Sequence, residues 1–324
     1  MQVRSKSARS GQRSVFTVTS GVIGIKMIFV NAYLVRANQH SNAWVLVDAG
    51  LKGYAGKIKD VAEQYFGEGN KPEAILLTHG HFDHVGSLLD LAQEWGVPIY
   101  AHPLEMPYVT GRSKYPPPDP TVGGGAMAYM AWAYPRGPVD ASKYIRPLSM
   151  DGSVPGLSDW RWIHTPGHTA GHVSFFRESD RTLLAGDAFV TRHAESAMAV
   201  ITQKKEVHGP PAYFTSDWRA AQWSVQDLAN LHPNIAATGH GMPMHGQVLQ
   251  EELENLSKHF GKLAVPDRGR YVPKPAVTDE YGVVSIPPPI MSRTEQVFIS
   301  IGLTALAAAA LLAVFRYKNA QEEQ

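Results

Sequence analysis

The sequence predicts an α/β layered fold, and three observations carry that expectation. Short apolar runs of strand length alternate with segments of helical periodicity along most of the chain. The second half of the chain repeats the alternation of the first. With 324 residues and 44% hydrophobic content, there is enough apolar surface for one full core.

In order, strand-like runs are expected at Val15–Thr19, Ile28–Val35 and Trp44–Asp48, the last two joined by the polar segment Arg36–Asn42. Helical periodicity follows over Lys57–Phe66. An apolar run Ala74-Ile75-Leu76-Leu77 then leads into Thr78-His79-Gly80-His81-Phe82-Asp83-His84, and a helix through Leu88, Leu91, Ala92 and Trp95 comes next, before a strand at Pro98–Ala101. Strands resume at Trp160–His164, Val173–Phe176, Thr182–Ala185 and Ile235–Thr238, with a helix near Ser216–Leu231 between the last two. No short-period repeat is present.

The His79–His84 stretch points to a metal centre. Where a buried strand ends at Thr78, His79 and His81 leave it two residues apart and can face one cation, with Gly80 turning the backbone between them. Asp83 and His84 fall at the start of the following helix, aimed at a second position beside the first. The chain contains no cysteine, which excludes disulfides, thiolate ligands and Cys nucleophiles, so any metal is held by nitrogen and oxygen. That donor set suits zinc and also iron or manganese. Thirty Lys and Arg against 29 Asp and Glu give a net charge of +1, so no global field marks the protein for nucleic acid, and no such partner is expected.

Further donors stand at the ends of later apolar runs, in Thr165-Pro166-Gly167-His168-Thr169-Ala170-Gly171-His172, Ala185-Gly186-Asp187 and Thr238-Gly239-His240-Gly241, and Asp48 ends Val45-Leu46-Val47-Asp48. Over roughly residues 14–262, these elements in this order resemble the five motifs of the metallo-β-lactamase superfamily. The resemblance implies an αββα sandwich of two mixed sheets flanked by helices, with metals at one sheet edge. It further implies a first metal on His79, His81 and His168, a second on Asp83, His84 and His240, and Asp187 bridging, with Asp48 and His172 as supporting residues. By spacing alone His172 serves as well as His168, and only the family pattern selects between them. A plain strand-end cap is the lesser alternative for Asp48.

What the resemblance implies for activity is a binuclear hydrolase with two zinc ions, iron or manganese being possible, acting on an ester, lactone or thioester of a small-molecule substrate, with Asp83 relaying a proton. An iron-dependent persulfide dioxygenase of the same superfamily is the alternative. The missing Cys ligand and Asp187 at the bridging position look more like thioesterases of the glyoxalase II kind, or lactonases, than like lactamases, although the lactonase tyrosine is replaced by Val190. No G-x-S-x-G element offers a serine nucleophile.

Residues 103–150 are irregular, with Tyr115-Pro116-Pro117-Pro118, a glycine run and aromatics, and are expected to form a lid or insert. Tyr129 and Trp132 within it are candidates for a substrate pocket wall, or for ordinary packing, and Tyr213 for oxyanion assistance or packing. The domain is expected over 14–265, preceded by a basic arm over 1–13 that lacks the apolar core of a secretory signal. A Pro-rich linker is expected over 266–293. Residues 296–316, uncharged from Val297 to Phe315, cover roughly 28 Å as a helix, which predicts a single-pass membrane anchor with the catalytic domain in the cytoplasm and a polar tail over 317–324.

Overall fold

In a computed structural model describing residues 14–38, 41–192 and 205–290, two mixed sheets pack face to face. The first has the order β1 (Val15–Thr19), β2 (Val22–Met27), β3 (Val30–Arg36), β4 (Trp44–Val47), β5 (Ile75–Leu76), β6 (Ile99–Ala101) and β7 (Ile145–Pro147). It is antiparallel from β1 to β4 and parallel from there on. The second runs from β8 (Ser153–Val154) through β9 (Leu157–His164), β10 (Val173–Arg177), β11 (Thr182–Leu184) and β12 (Ile235–Ala237) to β13 (Met244–His245), with β11 and β12 its parallel pair.

Central strands such as β4 and β5 read as continuous apolar runs because both of their faces are covered. Along β4, Val45 and Val47 point into the core between the sheets while Trp44 and Leu46 point to the outer core of the first sheet. That outer core is closed by the Ala55–Phe66 helix, which turns Ile58, Val61, Ala62 and Phe66 inward, and by the Leu88–Trp95 helix. On the far side, the Trp218–Asn230 and Gly246–Lys258 helices bury Val225, Leu228, Leu249 and Leu253 against the second sheet. The former starts where the Asp217 carboxylate accepts from the Arg219 and Ala220 N–H groups. The layer order is therefore αββα, as the sequence and the resemblance implied.

Three expectations need correction. The strand expected over Ile28–Val35 begins at Val30 as β3, and an unexpected strand, β2, precedes it in a two-residue hairpin with Ile28 and Phe29 as its turn. The Pro-rich stretch from 266 does not trail away from the domain, because it has apolar and hydrogen-bonding groups to bury. Tyr271 is buried and donates to the Pro117 carbonyl at 2.6 Å, the Ala276 N–H bonds to the Ser216 carbonyl, and a hairpin of β14 (Val277–Asp279) and β15 (Gly282–Ser285) follows. The membrane-anchor reading is corrected by the finding that no helix among the described residues is long and apolar enough to cross a membrane. The longest described helices have 13 residues and bury one face in the core. The arm over 1–13 and the segments 296–316 and 317–324 lie outside the described residues.

Candidate metal centre

Every expected ligand leaves a strand at the same edge of the sandwich. His79 follows β5, His168 sits on the β9–β10 connection, Asp187 follows β11 and His240 follows β12. The two halves are seamed there. The Asn31 amide of β3 donates to the Thr238 and Gly241 carbonyls at 3.0 and 2.7 Å, the Tyr33 hydroxyl donates to the Thr238 carbonyl, and the Val173 N–H donates to the Thr78 carbonyl. Gly239 is required by closeness of approach: a Cβ there would lie 2.1 Å from Asp187 Oδ1 and 2.7 Å from His84 Cε1.

All seven expected ligands converge. They fall into three overlapping buried clusters, His79/His81/His168, His79/His84/Asp187 and Asp83/His84/His240, the donor atoms in each lying within 4.8 Å of one another. Hydrogen bonds fix which ring nitrogen faces the centre. His84 Nδ1 donates to Asp48 Oδ2 at 2.8 Å and His240 Nδ1 donates to the Phe29 carbonyl at 2.7 Å. The Thr78 hydroxyl gives its proton to Asp48, so it accepts from His79 Nδ1 at 3.0 Å. Each of these rings turns a bare Nε2 inward, and those of His79 and His84, with Asp187 Oδ1, are buried without a hydrogen-bond partner. Orphaned acceptors of this kind are costly unless something positive sits among them.

The spacing fits a cation. His81 Nδ1 and His168 Nε2 stand 3.0 Å apart, close to the roughly 3.3 Å between two nitrogens on one tetrahedral zinc. Asp187 Oδ2 lies 3.0 Å from His240 Nε2 and 3.6 Å from the Nε2 atoms of both His84 and His168. Asp83 Oδ2 lies 3.5 Å from His240 Nε2. Burial pushes the imidazoles of His79 and His81 well below their usual range, and that of His168 to about 4, which keeps these rings neutral and able to ligate. Burial also opposes charge on His84, but the carboxylates of Asp48, Asp187 and Asp83 outweigh it and hold its proton affinity well above normal, so a metal at its Nε2 would take the place of a proton. These residues fit divalent metal.

His172 is assigned by its bonds. Its Nε2 accepts from the Asp187 N–H at 2.9 Å, so its proton is on Nδ1 and goes to Thr165 Oγ1 at 2.8 Å. Both nitrogens are spent, and His172 positions Asp187 while His168 faces the clusters. Asp48 likewise supports: at a φ of 60° it accepts from the Thr78 N–H and hydroxyl as well as from His84. An Asp48→Ala protein is expected to bind metal about 10–100-fold more weakly in chelator competition, because His84 and, through Thr78, His79 lose their orientation.

Glu105 is the principal residue that sequence reasoning missed. It is fully buried, and its Oε2 accepts from the Gly80 N–H at 2.9 Å and from the Tyr115 hydroxyl, while Oε1 accepts from the Thr169 hydroxyl at 2.7 Å and the Gly171 N–H at 3.0 Å. One carboxylate thereby ties the loop of His79 and His81 to the loop of His168. Tyr115 also packs against His81, its ring tilted by 58° and the centroids 4.5 Å apart. The turn that delivers Glu105 begins at His102, whose Nδ1 accepts from the Leu104 N–H and whose ring stacks on His164 at 4.3 Å.

That stack gives a pH signature. Burial, and then the neighbouring His164, lower His102 from the ordinary 6.5 to about 4. A depressed folded-state value means that the unfolded chain binds the proton first, so this contribution to stability is complete above pH 6.5 and is lost as the pH falls towards 4. Replacing His102 by Asn, which keeps an acceptor for the Leu104 N–H but cannot titrate, is expected to flatten that limb in urea midpoints measured against pH.

The expected pocket residues are placed differently from the metal ligands. Trp132 is 49% exposed, and neither it nor Tyr129 lines a described cavity. Tyr213 is buried against Phe214 and Tyr134. The aromatic wall of the centre is built instead by Phe214, 4.5 Å from His81, by Phe82 and Tyr134 beside it, and by Phe29, stacked on His240 at 6.2 Å. Arg192 adds a buried cation, donating to the Phe29 carbonyl 3.4 Å from His240 Nδ1.

The chain is similar to several known proteins. YflN of Bacillus subtilis (strain 168), described as a probable metallo-hydrolase, is 44% identical over 257 residues, covering 79% of this chain and 97% of that protein. YybB of the same organism, also described as a probable metallo-hydrolase, is 30% identical and covers 60% of this chain and 74% of its own length. Among solved structures, TTHA1623 in a di-iron-bound form is 27% identical with a TM-score of 0.45, covering 69% of this chain and 93% of that one. The family model of the metallo-beta-lactamase superfamily matches residues 26–240. From those residues and the identity to YflN, the chain belongs to the metallo-beta-lactamase superfamily.

Proposed function

We propose that the protein is a binuclear metal-dependent hydrolase of an ester, lactone or thioester, a small molecule whose carbonyl is attacked at the His79–His240 centre. The observation that supports this most is the set of three ligand clusters sharing His79 and His84, which provides two adjacent positions of nitrogen and oxygen donors rather than one. Two divalent cations, zinc by donor preference, supply an activated water at neutral pH and polarise the carbonyl when bound. The protein's own residues do the rest. His79, His81 and His168 hold one position, Asp83, His84 and His240 the other, and Asp187 faces both. Asp83, ligating through one carboxylate oxygen, would have its other oxygen free to relay a proton to the departing oxygen or sulfur. Phe29, Phe82 and Phe214 shield the centre from bulk water. With no cysteine in the chain and the centre built of His and Asp, no covalent nucleophile is invoked.

The test is metal analysis of the purified protein together with turnover of ester, lactone and thioester panels. Two zinc ions per chain with hydrolysis of one class is the expected result. A single iron with oxygen uptake on a persulfide would replace this reading with the dioxygenase one.

A further inference from the structure

Beside the metal turn lies a cavity of about 760 Å³, within the range of small-molecule sites. It runs from the hairpin tip at Ile28, across Leu51, Phe82, Val85 and Leu89, to Val139 of the 103–150 segment. Phe82 stands between His81 and Asp83, so the turn that presents metal ligands inward presents this apolar wall outward. Phe82 also meets Tyr134 and Phe214, whose ring lies on His81, so the cavity shares its inner wall with the centre.

The rim has two features that cost stability without a ligand. Ile28 is 63% exposed and Leu89 38% exposed, although both are aliphatic. Ile28 also adopts a φ of 55°, a left-handed conformation that is a genuine outlier for a β-branched side chain. It occupies the first turn position of a two-residue hairpin, where glycine or asparagine is the usual solution. An exposed, strained isoleucine at the mouth of an apolar cavity is accounted for by what it covers.

We infer that this cavity binds the hydrocarbon chain of the substrate, so that the hydrolysed compound is an aliphatic acyl ester, lactone or thioester whose chain lies along Phe82 and Leu89 beneath Ile28. The inference rests on the hydrolase reading for the reacting group. Lys52, Asp90 and Arg136, also on the lining, add three charged groups to this mainly apolar site.

Two measurements on the full chain test it. In the first, kcat/KM is compared across an acetyl, butyryl, octanoyl and dodecanoyl series of one ester or thioester. Each methylene added within the cavity is expected to raise it about fourfold. In the second, octanoate binding is followed by calorimetry, which needs no turnover. Leu89→Trp, at a partly exposed position, is expected to abolish both the chain-length preference and octanoate binding while metal content stays unchanged. Ile28→Asn, which relieves the left-handed strain, is expected to raise Tm yet weaken octanoate binding by about tenfold, opposite signs that a purely structural turn would not give. Hydrolysis with no chain-length dependence, or octanoate binding unaltered by both variants, would overturn the pocket and leave the hydrolase intact. Octanoate binding lost in Leu89→Trp, with no turnover of any ester, would keep the pocket and overturn the hydrolase.

Discussion

An Asp187→Ala protein is expected to fold and to lose about a thousandfold in kcat/KM. Asp187 faces three imidazole nitrogens, has one oxygen buried without a partner, and owes its fold contacts to its backbone, whose N–H goes to His172. Burial drives its carboxyl towards protonation, but His240 and His84 outweigh that and keep it ionised, well below the usual carboxylate range. Removing it takes away the anion that the two positions share, so metal content should fall towards about one ion per chain. Mass-spectrometric metal analysis, with a melting curve on the same sample, separates this from misfolding. Full metal occupancy in the variant would mean that Asp187 is not the bridge.

The second large effect is expected from Glu105. Glu105→Ala strands the buried Gly171 N–H, takes the acceptor from two hydroxyls, and leaves the Gly80 N–H only its 2.9 Å bond to the Tyr115 hydroxyl. At about 1–3 kcal/mol for each unsatisfied buried group, a loss of about 3–5 kcal/mol is expected after partial relaxation. Glu105→Gln retains the volume but points an amide N–H at donors on one side, so an intermediate loss is expected. Denaturant midpoints measure both. Because the carboxylate joins the His81 and His168 loops, metal held by His79, His81 and His168 should weaken more than metal held by Asp83, His84 and His240. Equal weakening at both positions would mean that Glu105 serves only general stability.

How much of this was legible in the sequence depends on the range of the interactions. Strands such as Trp44–Val47 and Val173–Arg177 were visible because burial on both faces enforces uninterrupted apolar runs. The seven metal donors were visible because they cluster at strand ends in separate motifs. β2 escaped although it is largely apolar, and Gly24 within it makes room for the Phe16 ring, which an added Cβ would meet at 2.2 Å. The role of Glu105 had no local signature, since its four partners lie 10 to 66 residues away. The choice between His168 and His172 was set by a hydrogen bond from the backbone of Asp187 that no spacing encodes. Aromatic content marks burial and binding alike, so the Tyr129–Trp132 stretch had no signature that separated the two, and the rings packed about the centre, Phe29, Phe82 and Phe214, are scattered through the chain.

The ligands are divided between the two sheets: His79, His81, Asp83 and His84 come with the first, His168, Asp187 and His240 with the second. Bound metal is therefore also a clamp between two halves of the polypeptide, and its binding energy adds directly to their cohesion. A chain nicked within the connection between β7 and β8 should accordingly hold together in the presence of zinc and come apart under chelation, so that the complementation of separately expressed fragments reports metal supply.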